Sequence, residues 1–351
     1  MADPASIRIA QALYFLFVAT CAGANGTWEP RAPLNQQRQE TGAAVVDGTV
    51  FVIGGLVAGG PNQNTATVEA YSIVADEWDF VAPLPFGVDH MACASVNGIV
   101  YSIGGFDVAR TRRAEAFAYN PALNAWSAIS SMPEPRAGCW AASYENRIYV
   151  FGGVNAANVA TATTFIYDTV TDEWTRGEDM PTPREHLMAV TLGSHIYVVG
   201  GRAGGASTAA NERYNPRNGR WRTLAPMPTA RAAAFMGSVD GVRLFVAGGE
   251  TPQLFAVNEV YDVRRDAWHT DSPMAVPRHG LAGIAIPGGI LAPGGGIIQG
   301  LQATAHVDVF VPGEPSVPAA SKTALIATAA LIACATLCYR RAVRMRASKS
   351  S

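Results

Sequence analysis

The sequence predicts an all-β fold, a six-bladed β-propeller, followed by a C-terminal transmembrane helix. Three observations predict it. Gly-Gly doublets start at Gly54, Gly104, Gly152, Gly200, Gly248 and Gly294, in steps of 50, 48, 48, 48 and 46 residues. Tryptophans keep the same phase, at Trp28, Trp78, Trp126, Trp174, Trp221 and Trp268. Five of them follow an aromatic by seven residues (Tyr71, Tyr119, Tyr167, Tyr214, Tyr261), and Phe310 holds that place in the last repeat. A period of this size marks a stacked-repeat architecture. The third observation is the uncharged run from Thr323 to Tyr339, 17 residues, which as a helix of about 1.5 Å per residue reaches the short end of the membrane-spanning range.

Taken from the N-terminus, residues 1–24 read as a secretory signal. An apolar stretch, Ala12 to Ala19, follows Arg8, and Ala22-Gly23-Ala24 has the small-x-small form of a cleavage site. Asn25-Gly26-Thr27 is a glycosylation acceptor, so Asn25 is a candidate modified residue. Residues 27–311 hold the repeats. Each doublet closes a β-branched or aromatic run such as Val50-Phe51-Val52-Ile53, which reads as a strand. Pairs such as Asp47-Gly48, Asn97-Gly98 and Asp240-Gly241 precede most of these runs and suit two-residue hairpins, whose turns need positive φ. Each repeat thus reads as four short antiparallel strands, a propeller blade. The last repeat has a doublet and an aromatic but no tryptophan, and Trp28 has no doublet before it. An N-terminal strand that completes the last blade makes six blades and leaves no open sheet edge.

Residues 312–322 form a Pro-rich stalk, residues 323–339 the transmembrane helix, and residues 340–351 a tail carrying Arg340, Arg341, Arg344, Arg346 and Lys349. Basic residues on one flank place that flank in the cytoplasm, which predicts a single-pass type I protein with its propeller extracellular or lumenal. Cys338 beside that flank is a candidate for palmitoylation, though an apolar filler role competes with it. Two cysteines in the bulk, Cys93 and Cys139, do not make a disulfide framework.

Composition narrows the function classes. Charged residues are 15% of the chain against a usual value of about 25%, and hydrophobic residues are 49%, which excludes disorder for most of it. A net charge of −2 argues against nucleic acid as a partner. Between Trp28 and Val311 there are 19 arginines, no lysine and 26 acidic residues, a balance of 19 − 26 = −7.

An apolar run, Gly-Gly, a tyrosine and a tryptophan seven residues on, repeated in phase over residues 27–311, resembles the kelch repeat. The resemblance implies a propeller whose loops recognise a protein or peptide. From each tryptophan to the next doublet the count is 26, 26, 26, 26, 27 and 26, whereas from doublet to aromatic it is 17, 15, 15, 14, 13 and 16. Length variation is confined to the connection between the second and third strands. These connections share one face of the disc, and variable loops on a rigid scaffold carry function.

Ten residues after the tryptophans stand Arg38, Val88, Arg136, Arg184, Arg231 and Arg278. Preceding the innermost strand, these arginines are expected at the mouth of the central channel. In kelch propellers that bind acidic peptides, arginines at this position contact the ligand, and the resemblance implies the same here, with binding weakened by salt. A competing reading has each arginine bridging adjacent blades through loop carbonyls, or pairing with a carboxylate. Glu69, Glu212, Glu259 and Asp308, two residues before the aromatics, read as structural partners. Leu34, Leu84, Met132, Met180, Met227 and Met274, six after each tryptophan, read as a packing stripe. Arg110 and Arg112, in the charged connection Asp107 to Arg113, are rim candidates for the ligand, against a plain solvated loop.

No cofactor and no metal centre is expected. His90 and His186 share a phase twelve residues after tryptophan, but two blades apart they read as widely separated, and a lone pair is weak for a metal. No nucleophile elbow and no phosphate loop occurs. The expectation is therefore a membrane-anchored interaction module and not an enzyme. The alternative is a carbohydrate-handling enzyme of the kelch type, such as an acidic-sugar isomerase, with Arg136, Arg184, His90 and His186 as its residues.

Overall fold

A computed structural model describes residues 25–57 and 63–314. Among them, six four-stranded antiparallel sheets stand around one axis. Blade 1 runs, from the axis outward, Gly42–Val46, Thr49–Ile53, Val68–Ser72 and Glu77–Val81. Blades 2 to 5 repeat the order, with inner strands Ala92–Val96, Trp140–Tyr144, Met188–Leu192 and Phe235–Gly237. Each inner strand contacts the inner strands of both neighbours. In blade 6, Ile284–Ile286, Gly289–Pro293 and Val307–Val311 are joined by the N-terminal strand Thr27–Pro30. The register sets Thr27 opposite Val311 and Pro30 opposite Asp308, so first and last strands close the disc.

The repeated residues are the parts of the seam between blades. Each of the six in-phase tryptophans donates its indole N–H to a carbonyl in the connection leaving the previous blade: Trp78 to Ala32, Trp126 to Ala82, Trp174 to Ser130, Trp221 to Glu178, Trp268 to Ala225, and Trp28 to Ser272 across the closure, all at 2.8–2.9 Å. The tyrosine hydroxyl holds the turn before the tryptophan. Tyr71 donates to Asp76 at 2.6 Å, and the same carboxylate accepts the N–H of Ala32. Tyr167–Asp172 and Tyr261–Asp266 repeat this device. The stripe from Leu34 to Met274 is buried throughout, at 1–4% exposure.

The doublets have two physical causes. Both glycines are left-handed, with φ of 57° and 98° at Gly54 and Gly55 and closely similar values in the other five pairs. A carbonyl of the next connection also lies against them. It accepts the N–H of the second glycine, as Val88 does from Gly55 at 2.8 Å, Arg184 from Gly153 at 3.0 Å, and Arg38 from Gly295 at 2.9 Å. A Cβ on the first glycine would meet the same oxygen, at 2.4 Å for Gly54 and 2.3 Å for Gly152. The hairpin turns Asp47-Gly48 and Asn97-Gly98 have positive φ at both residues, as the dipeptides predict.

The segments expected to be the signal, most of the stalk, the transmembrane helix at 323–339 and the basic tail lie outside the described residues. Among the described residues no helix is long and apolar enough to cross a membrane. Asn25 is exposed. Cys93 and Cys139 are free thiols that burial pushes up to about 12.

Candidate functional site

Antiparallel strands place the connection entering each blade and the connection between its second and third strands on one face. The entering connection carries three successive positions, ten, eleven and twelve residues after each tryptophan. The structure gives them three different jobs.

The tenth position holds the arginines, and here the structure corrects the expected channel mouth. Arg38, Arg184, Arg231 and Arg278 are 0% exposed and Arg136 is 2% exposed. Their guanidiniums turn back into the blade. Arg184 donates to Glu212 at 2.6 Å and to the carbonyls of Thr182 and Val198. Arg38 pairs with Glu69 at 2.6 Å, Arg278 with Asp308 at 2.8 Å, and Arg231 with Glu259. Each backbone carbonyl meanwhile binds the preceding blade's doublet, so the residue bridges two blades. Blades 2 and 3 show the rule by departing from it. Where the carboxylate is replaced by Phe165, Arg136 lies 5.4 Å from its ring and pairs with Glu134 instead. Where it is replaced by Phe117, the arginine itself is replaced by buried Val88. Burial pulls Arg278 down to about 10 against the opposing field of Asp308, so it stays charged at neutral pH. The arginines turn into the blade because fixed carbonyls and a carboxylate there repay the loss of hydration.

The twelfth position forms the constriction of the channel. Its occupants are Glu40, His90, Gly138, His186, Ala233 and Gly280, all left-handed, with φ from 50° to 63°. Each N–H donates to the carbonyl of the preceding member at 2.6–3.0 Å, and Glu40 to Gly280 completes the circle. Left-handed backbone costs a non-glycine residue energy, and such positions cluster where function demands them. The three large side chains meet on the axis. His90 and His186, expected to be far apart, have ring centroids 4.7 Å apart. At the axis, blades two apart are as close as neighbours. His90 Nε2 lies 3.4 Å from Glu40 Oε2, and His186 Nε2 lies 3.9 Å from the same oxygen.

The eleventh position supports them. Asp89 and Glu185 touch the Nδ1 atoms of His90 and His186 respectively. Arg110, from the blade 2 connection, donates to both oxygens of Asp89 at 2.9 Å and packs on Phe106 with its guanidinium carbon 4.0 Å from the ring centroid. Arg202, from the blade 4 connection, donates to Glu185 at 2.6 Å, to Glu250 at 2.9 Å, and to His186 Nε2 at 3.3 Å. Buried His279 has its Nδ1 3.2 Å from the Gly296 carbonyl, and its Nε2 makes no hydrogen bond. That nitrogen lies 3.5 Å from Glu250 and 3.8 Å from Glu40. Burial and the field of Arg202 hold His186 well below the usual imidazole range. Burial also opposes charging of His90, but Glu40 and Asp89 outweigh it and raise that imidazole.

Sequence reasoning found His90, His186 and Arg110, and missed Glu40, Asp89, Glu185, Arg202, Glu250 and His279. Four of these six sit at the eleventh and twelfth positions, where the repeat breaks, and that break was the available signal. Arg112 reaches Asn158 and lies 5.1 Å from the Phe106 ring, on the rim and outside the cluster. The four residues weighed for sugar isomerisation do not assemble. Arg136 and Arg184 are buried in seams, whereas His90 and His186 line the channel.

Residues 89–295 match the family model of the KLHDC2/KLHL20/DRC7 kelch-repeats domain, and residues 37–85 match the kelch motif. The chain belongs to the kelch-repeat family. It is similar to Kelch-like protein terF of Aspergillus terreus, 34% identical over 89 residues, 23% of this chain and 19% of that one. It is also similar to Kelch-like protein 40 of Xenopus laevis, 34% identical over 79 residues, 22% and 12% of the two chains. Alpha-scruin of Limulus polyphemus is 32% identical over 88 residues, 25% and 9%. The chain thus spans less than a fifth of the length of these relatives. A solved structure described as the structure of YjhT superposes with a TM-score of 0.70, covering 80% of this chain and 96% of that one. At 18% identity this is a likeness of fold.

Proposed function

We propose that this kelch propeller recognises a protein partner on the face that carries the second-to-third-strand connections. One observation carries the reading. On that face, next to the channel mouth, the connections of blades 6 and 1 wall a groove of about 480 Å³ lined by Leu56, Val57, Ile297, Ile298 and Leu301, with Gln37, Gln39, Gln302 and Thr304 as its polar groups. Ile298 and Leu301 are 52% and 40% exposed. An apolar groove with a polar border is the form in which a rigid surface takes up a partner's apolar side chains. The kelch-like relatives support a protein partner. Any attraction for acidic segments comes from the rim arginine Arg112, because the tenth-position arginines are buried and Arg110 is paired with Asp89.

The test is capture of partners by the full chain beside Ile298→Arg/Leu301→Arg, with Val170→Arg as an opposite-turn control. Val170 is 72% exposed, so all three changes leave the core intact. A partner held by the parent and the control, and lost by the groove variant, supports the reading. A partner held equally by all three overturns it.

The terminal segments support tethering, with the propeller extracellular or lumenal and the basic tail cytoplasmic. Protease treatment of sealed vesicles tests this: the propeller is shielded in lumenal topology and the tail is cut.

A further inference from the structure

We propose that Glu40, His90 and His186 form a binding site for one divalent transition-metal ion, Zn²⁺ by donor chemistry, at the constriction of the channel. One ligand atom from each residue lies within 4.8 Å of the others. The spacings of 3.4 Å and 3.9 Å between the carboxylate oxygen and the two imidazole nitrogens are close to what ligands about 2.0–2.2 Å from a tetrahedral ion need. Two imidazoles and one carboxylate suit Zn²⁺ better than the oxygen-seeking Mg²⁺ or Ca²⁺.

Three further features of the site point the same way. First, His90 turns Nε2 to the centre and hydrogen-bonds Asp89 through Nδ1, which is the outer arrangement that fixes a metal-binding tautomer, and Glu185 lies beside Nδ1 of His186. Those carboxylates are themselves held by Arg110 and Arg202. Second, the charges fit. Glu40, Asp89, Glu185 and Glu250 against Arg110 and Arg202 leave −4 + 2 = −2, the balance a divalent ion neutralises once it has displaced any proton from His90. Third, the residues line a cavity of about 30 Å³, enough for an ion with one bound water. The unpaired Nε2 of His279 stands at the edge of the same cluster. Arg202 donates to His186 Nε2 at the long distance of 3.3 Å. On binding it gives up that lone pair and keeps Glu185 and Glu250. The ion ties connections of blades 1, 2 and 4 together across the axis.

The experiment uses the chelator-treated full chain, titrated with Co²⁺ and then Zn²⁺. Visible absorption of bound Co²⁺, metal content after dialysis and thermal melting are the readouts. The expected result is one equivalent of Co²⁺, its absorption abolished by Zn²⁺, and a rise in Tm with either ion. His90→Gln/His186→Gly should weaken binding more than about 100-fold, since even the outer partners of a ligand are worth about 10–100-fold. Glycine at 186 suits the left-handed backbone, as Gly138 and Gly280 do at the equivalent positions, so the metal-free variant should melt close to the parent. Should that variant melt early, Glu40→Gln supplies the same comparison with shape retained. Failure of the folded parent to take up Co²⁺ or Zn²⁺ overturns the proposal. So does one-equivalent binding that survives both sets of changes, which would place the ion on outlying histidines such as His195, His269 or His306. No partner protein enters the assay, so its result is independent of the recognition reading.

Discussion

Two rings circle the channel only two residues apart in sequence, and they obey opposite rules. The ring of tenth positions is nearly uniform, with five arginines and one valine, and every guanidinium is spent inside the protein. The ring of twelfth positions is irregular, Glu, His, Gly, His, Ala and Gly, and its three large side chains converge on open space at the axis. The first ring repeats because every blade poses the same problem: carbonyls of its second strand and its entering connection need donors, and the preceding doublet needs an acceptor. The second has no such demand, since its backbone bonds are already closed in a circle. Its side chains are free to differ. In this propeller, repetition marks scaffold, and the breaks in repetition mark chemistry.

The comparison can be broken at three levels. The largest effect is expected from deleting residues 26–31, which removes the strand that pairs with Val307–Val311 and the Trp28–Ser272 bond. The chain should lose its cooperative melt, whereas trimming after residue 314 should leave it in place; equal effects would mean that the disc does not depend on closure. Next comes the uniform ring. Arg184→Ala strands Glu212 in a site where it is 1% exposed, and such losses cost about 3–5 kcal/mol in urea unfolding. The pair change Arg184→Val/Glu212→Phe, which copies Val88 and Phe117 of blade 2, should cost clearly less than either single change. A double as damaging as the two singles combined would show that the apolar seam is peculiar to blade 2. The smallest effect belongs to the irregular ring. His186→Gly alone should shift stability by less than about 1 kcal/mol, because relief of a left-handed residue offsets the lost contacts. A loss above about 3 kcal/mol would mean that this ring, too, is scaffold.

The fold was legible because its signals are covalent in spacing and repeated. Trp28 without a doublet and Gly294 without a later tryptophan were enough to infer the closing strand. The site was only half legible. The five arginines formed the strongest phase in the chain and drew the functional reading to themselves, yet spacing does not say whether a side chain turns inward or outward. What decided their direction was the partner two residues before each aromatic, and Val88 matched with Phe117 already carried that information. His90 and His186 share a phase but stand two blades apart, and near the axis blade count does not measure separation. Glu40 carried no motif at all, and only its left-handed place in the ring brings it to the histidines.

The closing strand also dictates an order of events during synthesis. Thr27 and its partner Val311 are 311 − 27 = 284 residues apart. At a chain growth of about 5–20 residues per second, roughly 14–57 s separate their appearance. Throughout that interval Trp28 and its strand have no sheet to join, while blades 1 to 5 can already be complete. The first strand of the propeller is the last to be paired. The nascent chain therefore carries an unmatched β-edge for nearly the whole synthesis of the propeller, which makes its last stage the period when a chaperone, or a wrong strand, has access to it.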